Sequence, residues 1–193
     1  GRQIAKTAGE RLIPYTLELG GKSPVIIDDT ADLKVSARRI VKGKFMNAGQ
    51  TCIAPDYLFA HASIREKLIL EMINAIQEFY GTYTPESTDY GRIIDIEAFN
   101  RLSKLIKSSK DKIIYGGHSD ECTLYIEPTL IVEDSINSDI MQEEIFGPLL
   151  PVLEWTDINR VKEYIRQKPK PLALYVFSED KEFRKDIFKS LSF

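Results

Sequence analysis

Short apolar runs alternating with amphipathic stretches limit the folds open to this chain more than any other feature. Pro24–Ile27, Tyr57–Ala60, Leu149–Glu154 and Leu172–Phe177 read as strands, and the segments between them repeat their apolar residues at helical spacing. That alternation is what an α/β fold demands, with a mostly parallel, doubly wound sheet and flanking helices. Helices are predicted over Arg2–Leu12, ended before Pro14, and from Asp32, whose apolar face carries Leu33, Ala37, Ile40, Val41 and Phe45. Ser63 and Glu66 form a capping-box pair at the head of a long helix stopped by Gly81. Further helices are expected over Ile96–Ile106, Asp157–Gln167 and Lys181–Leu191. Tyr15–Leu19 and Lys112–Tyr115 read as additional short strands, and Tyr125–Val132 as one extended run.

With 193 residues the chain fits one domain or slightly more, long enough to bury a substantial core. A formal net charge of -3 gives no electrostatic case for nucleic acid or an anionic membrane as partner. No apolar run approaches the roughly 20 residues needed to span a bilayer, and the first residues lack the apolar core of a secretory signal. Two cysteines, Cys52 and Cys122, make no disulfide framework. Two histidines, His61 and His118, with no metal-ligand spacing, leave no expected zinc site. A reducing cytoplasm is the default expectation, and it suits a reactive thiol.

Two hexapeptides carry the chemistry. In Asn47-Ala48-Gly49-Gln50-Thr51-Cys52 a thiol follows a small, polar, glycine-bearing loop. Such a loop supplies access, and backbone N–H groups for a developing oxyanion. The alternative is an inert, buried cysteine. In Leu17-Glu18-Leu19-Gly20-Gly21-Lys22 a carboxylate stands between two leucines. Partial burial there would raise its pKa toward that of a general base; the alternative is a strand glutamate facing solvent. A third segment, Glu143-Glu144-Ile145-Phe146-Gly147-Pro148, offers a carboxylate for ribose hydroxyls and an aromatic ring. On its residues alone it reads first as a helix end capped by acids and stopped by Gly-Pro. A cysteine hydrolase or acyltransferase pairing Cys52 with His61 or His118 is a rival chemistry, although neither histidine sits in a triad motif.

The three segments together resemble the signatures of the aldehyde dehydrogenase superfamily, most closely its class 3 (fatty and aromatic aldehyde) branch. Gly43–Met46, Asp56-Tyr57, Asp89–Ile94 and Lys170–Tyr175 also match that pattern, so the similarity runs along nearly the whole chain. The resemblance implies that Cys52 attacks an aldehyde to give a thiohemiacetal and then a thioester. Glu18 activates the water that hydrolyses it. It further implies NAD or NADP as cofactor, with Leu19 and Gly20 beside the nicotinamide, Glu144 on a ribose and Phe146 packed near the ring. Lys22 is expected to tie down backbone or a carboxylate. Residues 1–16 would be a remnant of the dinucleotide-binding domain, and 17–193 a catalytic domain truncated at its C-terminal end. Class 3 enzymes are usually dimers, and a homodimer is implied for the parent protein. The abrupt ends suggest a fragment, expected to be inactive alone or to serve as a non-catalytic domain.

Overall fold

The computed structural model describes all 193 residues. A six-stranded sheet forms the centre, in the order β3-β6-β7-β2-β1-β8. Its strands are β1 (Pro24–Ile27), β2 (Tyr57–His61), β3 (Ile113–Tyr115), β6 (Thr129–Val132), β7 (Leu149–Trp155) and β8 (Tyr175–Phe177). All neighbours run parallel except β3, which lies antiparallel on the β6 edge. β4 (Ser119–Asp120) and β5 (Tyr125–Ile126) make a separate two-stranded ribbon. Val25, Ile26 and Ile27 are fully buried, which is why β1 reads as an unbroken apolar run: a parallel strand covered on both faces has no polar side.

The helices are α1 (Arg2–Glu10), α2 (Leu33–Phe45), α3 (Arg65–Tyr80), α4 (Ile96–Ser108), α5 (Ile158–Gln167) and α6 (Lys181–Ser190). The β1–α2–β2 connection moves one way along the sheet, and β7–α5–β8 moves the other. Right-handed crossovers therefore set α2 and α5 on opposite faces, as a doubly wound sheet requires. Tyr57 and Phe59 meet Tyr164 of α5 edge-on; Leu58, between them, points the other way. Asp32, Asp95, Asp157 and Asp180 each cap a helix through a side-chain oxygen.

Several local expectations fail for identifiable reasons. Tyr15–Leu19 is not a strand: both long edges of β1 are taken by β2 and β8, and the segment runs extended and unpaired over the surface. Ser63 does not cap α3. Its hydroxyl pairs with Nδ1 of His61 at 2.8 Å, and Ile64 precedes the helix without a side-chain cap. The Tyr125–Val132 run splits into β5 and β6, and only Tyr175–Phe177 of the 172–177 run pairs as strand.

Candidate active site

Because β7, β2 and β1 are neighbours, the segments entering them converge on one edge of the sheet. Those segments are Glu143–Pro148, Asn47–Asp56 and Leu17–Lys22. A buried ion pair clasps all three. Lys22 Nζ donates to the Asp56 carboxylate, to the Ile140 carbonyl at 3.0 Å and to the Glu143 carbonyl at 2.8 Å. The other Asp56 oxygen accepts the Ile145 amide at 2.8 Å. The Lys22 and Asp56 side chains are 9% and 3% exposed. Burial pulls the Lys22 ammonium below its ordinary pKa, and Asp56 acts against that pull. The lysine thus ties down a carboxylate and two carbonyls, as its position after the glycine pair leads one to expect.

The cysteine turn is unusual in its backbone. Asn47, Ala48 and Gly49 have φ of 54°, 51° and 75°, three consecutive left-handed residues of which one is glycine. Each non-glycine residue held there costs about 1–2 kcal/mol. Gly49 is required: a Cβ on it would lie 2.3 Å from the Gly147 carbonyl oxygen, so the turn rests directly on the third segment. A tight turn follows, closed by the Ala54 amide on the Thr51 carbonyl at 2.9 Å, with Cys52 and Ile53 at its centre. The amides of Thr51, Cys52 and Ile53 make no hydrogen bond within the chain. Cys52 is exposed. A sulfur with free N–H groups around it meets the first needs of a nucleophile. Tyr175, at the head of β8, donates its phenolic hydroxyl to the Ile53 carbonyl. Burial and the nearby charge of Cys52 push that phenol's pKa up.

Glu144 lies against the glycine pair. A Cβ on Gly20 would fall 2.3 Å and 2.7 Å from the two Glu144 carboxylate oxygens, so a side chain there would push that carboxylate out of its present place. A cavity of about 160 Å³ beside it is lined by Gly21, Lys22, Gln142, Glu144, Lys168 and Pro169. Phe146 is 40% exposed at φ 45°, and Leu19 is 54% exposed with its side chain over Gly1. Glu144 thus sets an acceptor-only carboxylate next to open space, a group able to take hydroxyl donors. Glu18 is exposed rather than half-buried, since Leu17 and Leu19 are themselves exposed and nothing in the chain covers them. The structure forms no hydrogen bond between Glu18 and the cysteine turn.

The histidines do not serve Cys52. His61 ends β2, whereas Cys52 precedes it, and the five residues of that strand rise about 15 Å. Its ring meets Trp155 edge-on. His118 lies beside the Tyr125 ring, and neither imidazole bonds the thiol. Cys122 is exposed in the β4–β5 turn, where its amide bonds Asp120. No helix is long and apolar enough to cross a membrane.

Lys44 escapes the sequence pattern. It falls on the apolar stripe of α2 with Ala37, Ile40 and Val41 and is 1% exposed. Its spacing from Ile40 and Val41 was the available signal. Burial lowers its pKa to about 8, with Asp56 and Glu144 raising it and Lys22 lowering it. Asp56, visible only as part of a motif, proves to be the hub of the site.

The profile of the aldehyde dehydrogenase family matches residues 1–193. The 4,4'-diaponeurosporen-aldehyde dehydrogenase of Staphylococcus aureus is 49% identical over 193 residues, covering 100% of this chain and 42% of that protein. Aldehyde dehydrogenase family 3 member A2 of Mus musculus is 44% identical over 192 residues, covering 100% of this chain and 39% of that protein. A solved structure described as the substrate-bound state of Staphylococcus aureus AldH superposes with a TM-score of 0.98 at 48% identity. It covers 100% of this chain and 42% of that one. The chain therefore spans about two fifths of the length of these relatives. With its three signatures clasped at one sheet edge, the chain belongs to the aldehyde dehydrogenase family.

Proposed function

We propose that this chain supplies the nucleophile and the nicotinamide end of the cofactor site for NAD- or NADP-dependent oxidation of an aldehyde to a carboxylate. The observation that carries this reading is the Lys22–Asp56 clasp, which holds the Cys52, Glu18 and Glu144 segments on one edge. The Cys52 thiolate adds to the aldehyde carbon, and the carbonyl oxygen becomes an alkoxide facing the free amides of the turn. A bound nicotinamide dinucleotide supplies the hydride acceptor that lets this adduct become a thioester. Glu144 and Phe146 hold the ribose and limit the ring, with Leu19 and Gly20 beside it. Glu18 takes a proton from the water that attacks the thioester, releasing the carboxylic acid and returning the thiolate.

Residues 1–16 belong, in this reading, to a dinucleotide-binding domain, and 17–193 to the catalytic domain. The exposed Leu12, Ile13, Tyr15, Leu17 and Leu19 form the apolar rim between them. The parent enzyme is a homodimer, and the isolated chain lacks turnover because half of the cofactor site lies elsewhere. The test is aldehyde-dependent NAD(P)H formation by the longest reading frame that carries these residues. Cys52→Ala is expected to abolish it. Glu18→Gln is expected to form the thioester and stall, leaving a burst without steady turnover. Normal steady-state turnover of Glu18→Gln would remove Glu18 from the mechanism.

A further inference from the structure

The left-handed turn before Cys52 is held by one side chain whose hydrogen-bonding capacity is spent on backbone. Gln50 Nε2 donates to the Asn47 carbonyl at 3.0 Å and to the Arg92 carbonyl at 2.9 Å. Gln50 Oε1 accepts the Ile94 amide at 2.9 Å. Asn47 returns the contact, its Nδ2 donating to the Gln50 carbonyl at 3.0 Å. The receiving segment is itself anchored. The Arg92 guanidinium donates to the Pro85, Tyr90 and Gly91 carbonyls and lies over the Tyr125 ring, 5.0 Å from its centre. The Ile93 amide bonds the Leu124 carbonyl at 2.9 Å. Gly91 packs against the backbone of Asn47 and Ala48, where a Cβ would sit in ordinary contact at 3.5 Å.

We infer that Gln50 is a positioning residue for the nucleophile, clamping the strained Asn47–Gly49 turn onto the Tyr90–Ile94 segment so that the turn amides stay gathered around Cys52. This rests on the reading of Cys52 as the attacking thiol. Left-handed torsions at Asn47 and Ala48 relax unless something opposes them, and the amide of Gln50 does so from two sides. Its loss frees the turn to swing, and the N–H groups that stabilise charge near the sulfur go with it.

The test measures iodoacetamide alkylation of Cys52 and Cys122 in the same full-length chain by mass spectrometry, with the exposed Cys122 as internal reference. In the wild type Cys52 is expected to react well ahead of Cys122. Gln50→Met, equal in length but without an amide, is expected to slow Cys52 about tenfold, on the scale of one or two net hydrogen bonds, and to leave Cys122 unchanged. Adding Ala48→Gly to Gln50→Met is expected to recover most of that loss, because glycine adopts the left-handed torsion without strain. A merely structural role would show no such rescue. Should Gln50→Met not fold, Gln50→Glu, which keeps the acceptor for Ile94, decides the matter by the same ratio. A Cys52 rate within twofold of wild type in the folded variant overturns the clamp. A wild-type Cys52 no faster than Cys122 overturns instead the reading of Cys52 on which the clamp rests.

Discussion

Replacing Lys22 by Met asks how much the clasp holds. Both partners are buried, at 9% and 3% exposure, so the change leaves an uncompensated carboxylate in a low-dielectric site. Removing one partner of such a pair costs about 3–5 kcal/mol. The Ile140 and Glu143 carbonyls also lose their donor, which keeps the expectation at the upper part of that range. For a chain of this length the loss corresponds to a fall of about 10 °C or more in Tm. Asp56→Leu removes the charge but orphans the Ile145 amide, and should cost a similar amount. The double variant then removes both charges together, and its cost should fall well below the sum of the singles, with a coupling of about 2 kcal/mol or more. Equilibrium urea unfolding of the four proteins measures this, provided the m-values agree. A Lys22→Met cost under about 1 kcal/mol, or strict additivity in the cycle, would refute the idea that this pair joins the three segments.

Gly20→Ala drives a methyl into the Glu144 carboxylate, where 2.3 Å is available. It is expected to weaken dinucleotide binding by the full-length enzyme about tenfold or more, measured by fluorescence titration. Gly9→Ala, in α1 with nothing within 4 Å, should instead stabilise by about 0.5–1 kcal/mol without touching affinity. Equal effects of the two would separate Gly20 from the cofactor. Lys44 makes a pH prediction. Its folded pKa of about 8 lies below the ordinary lysine value of 10.5, so the unfolded chain binds the extra proton between those values. The burial penalty is complete below pH 8 and is relieved as pH rises toward 10.5, by about 3 kcal/mol. The wild-type stability profile should therefore climb relative to that of Lys44→Met across this window, and parallel profiles would show that Lys44 pays no such penalty.

The sheet and its helices were legible because their signals are local: apolar runs for β1, β2 and β7, apolar residues at helical spacing for the helices, and Asp32 ahead of α2. What was not legible depended on partners distant in the chain. Tyr15–Leu19 alternates as a strand should, but β1, the strand it leads into, is already flanked by β2 and β8. Ser63 had the spacing of a cap, yet its hydroxyl pairs with the His61 ring instead. The cysteine and the two carboxylates stood out by composition, and the family resemblance assigned them. Asp56 and Gln50 did not stand out, since a hub is defined by whom it touches: Lys22 is 34 residues from Asp56, and Ile94 is 44 from Gln50. Lys44 shows the opposite failure. A charged residue on an apolar stripe was visible in the pattern, but the habit of reading lysine as solvated hid it.

Ligands of open α/β sheets usually gather at the carboxyl ends of the strands; here every site segment enters its strand, so the site lies at the amino ends. The two ends of β1 and β8 explain the preference. At the carboxyl end Asp28, 4% exposed, accepts the Thr30 amide and hydroxyl through one oxygen and the Ser178 hydroxyl through the other. Thr30 in turn accepts the Glu179 and Asp180 amides. That end is sealed, with its donors spent on stitching β1 to β8. At the amino end the amides of residues 51 to 53 remain free. If the two ends divide stability from chemistry in this way, Asp28→Ala should cost about 2–3 kcal/mol, as the loss of charged, buried hydrogen bonds does. Below the unfolding transition it should leave the Cys52 alkylation rate as it was. A folded Asp28→Ala protein with that rate changed more than about threefold, a shift near 0.7 kcal/mol, would mean that the seal also shapes the nucleophile.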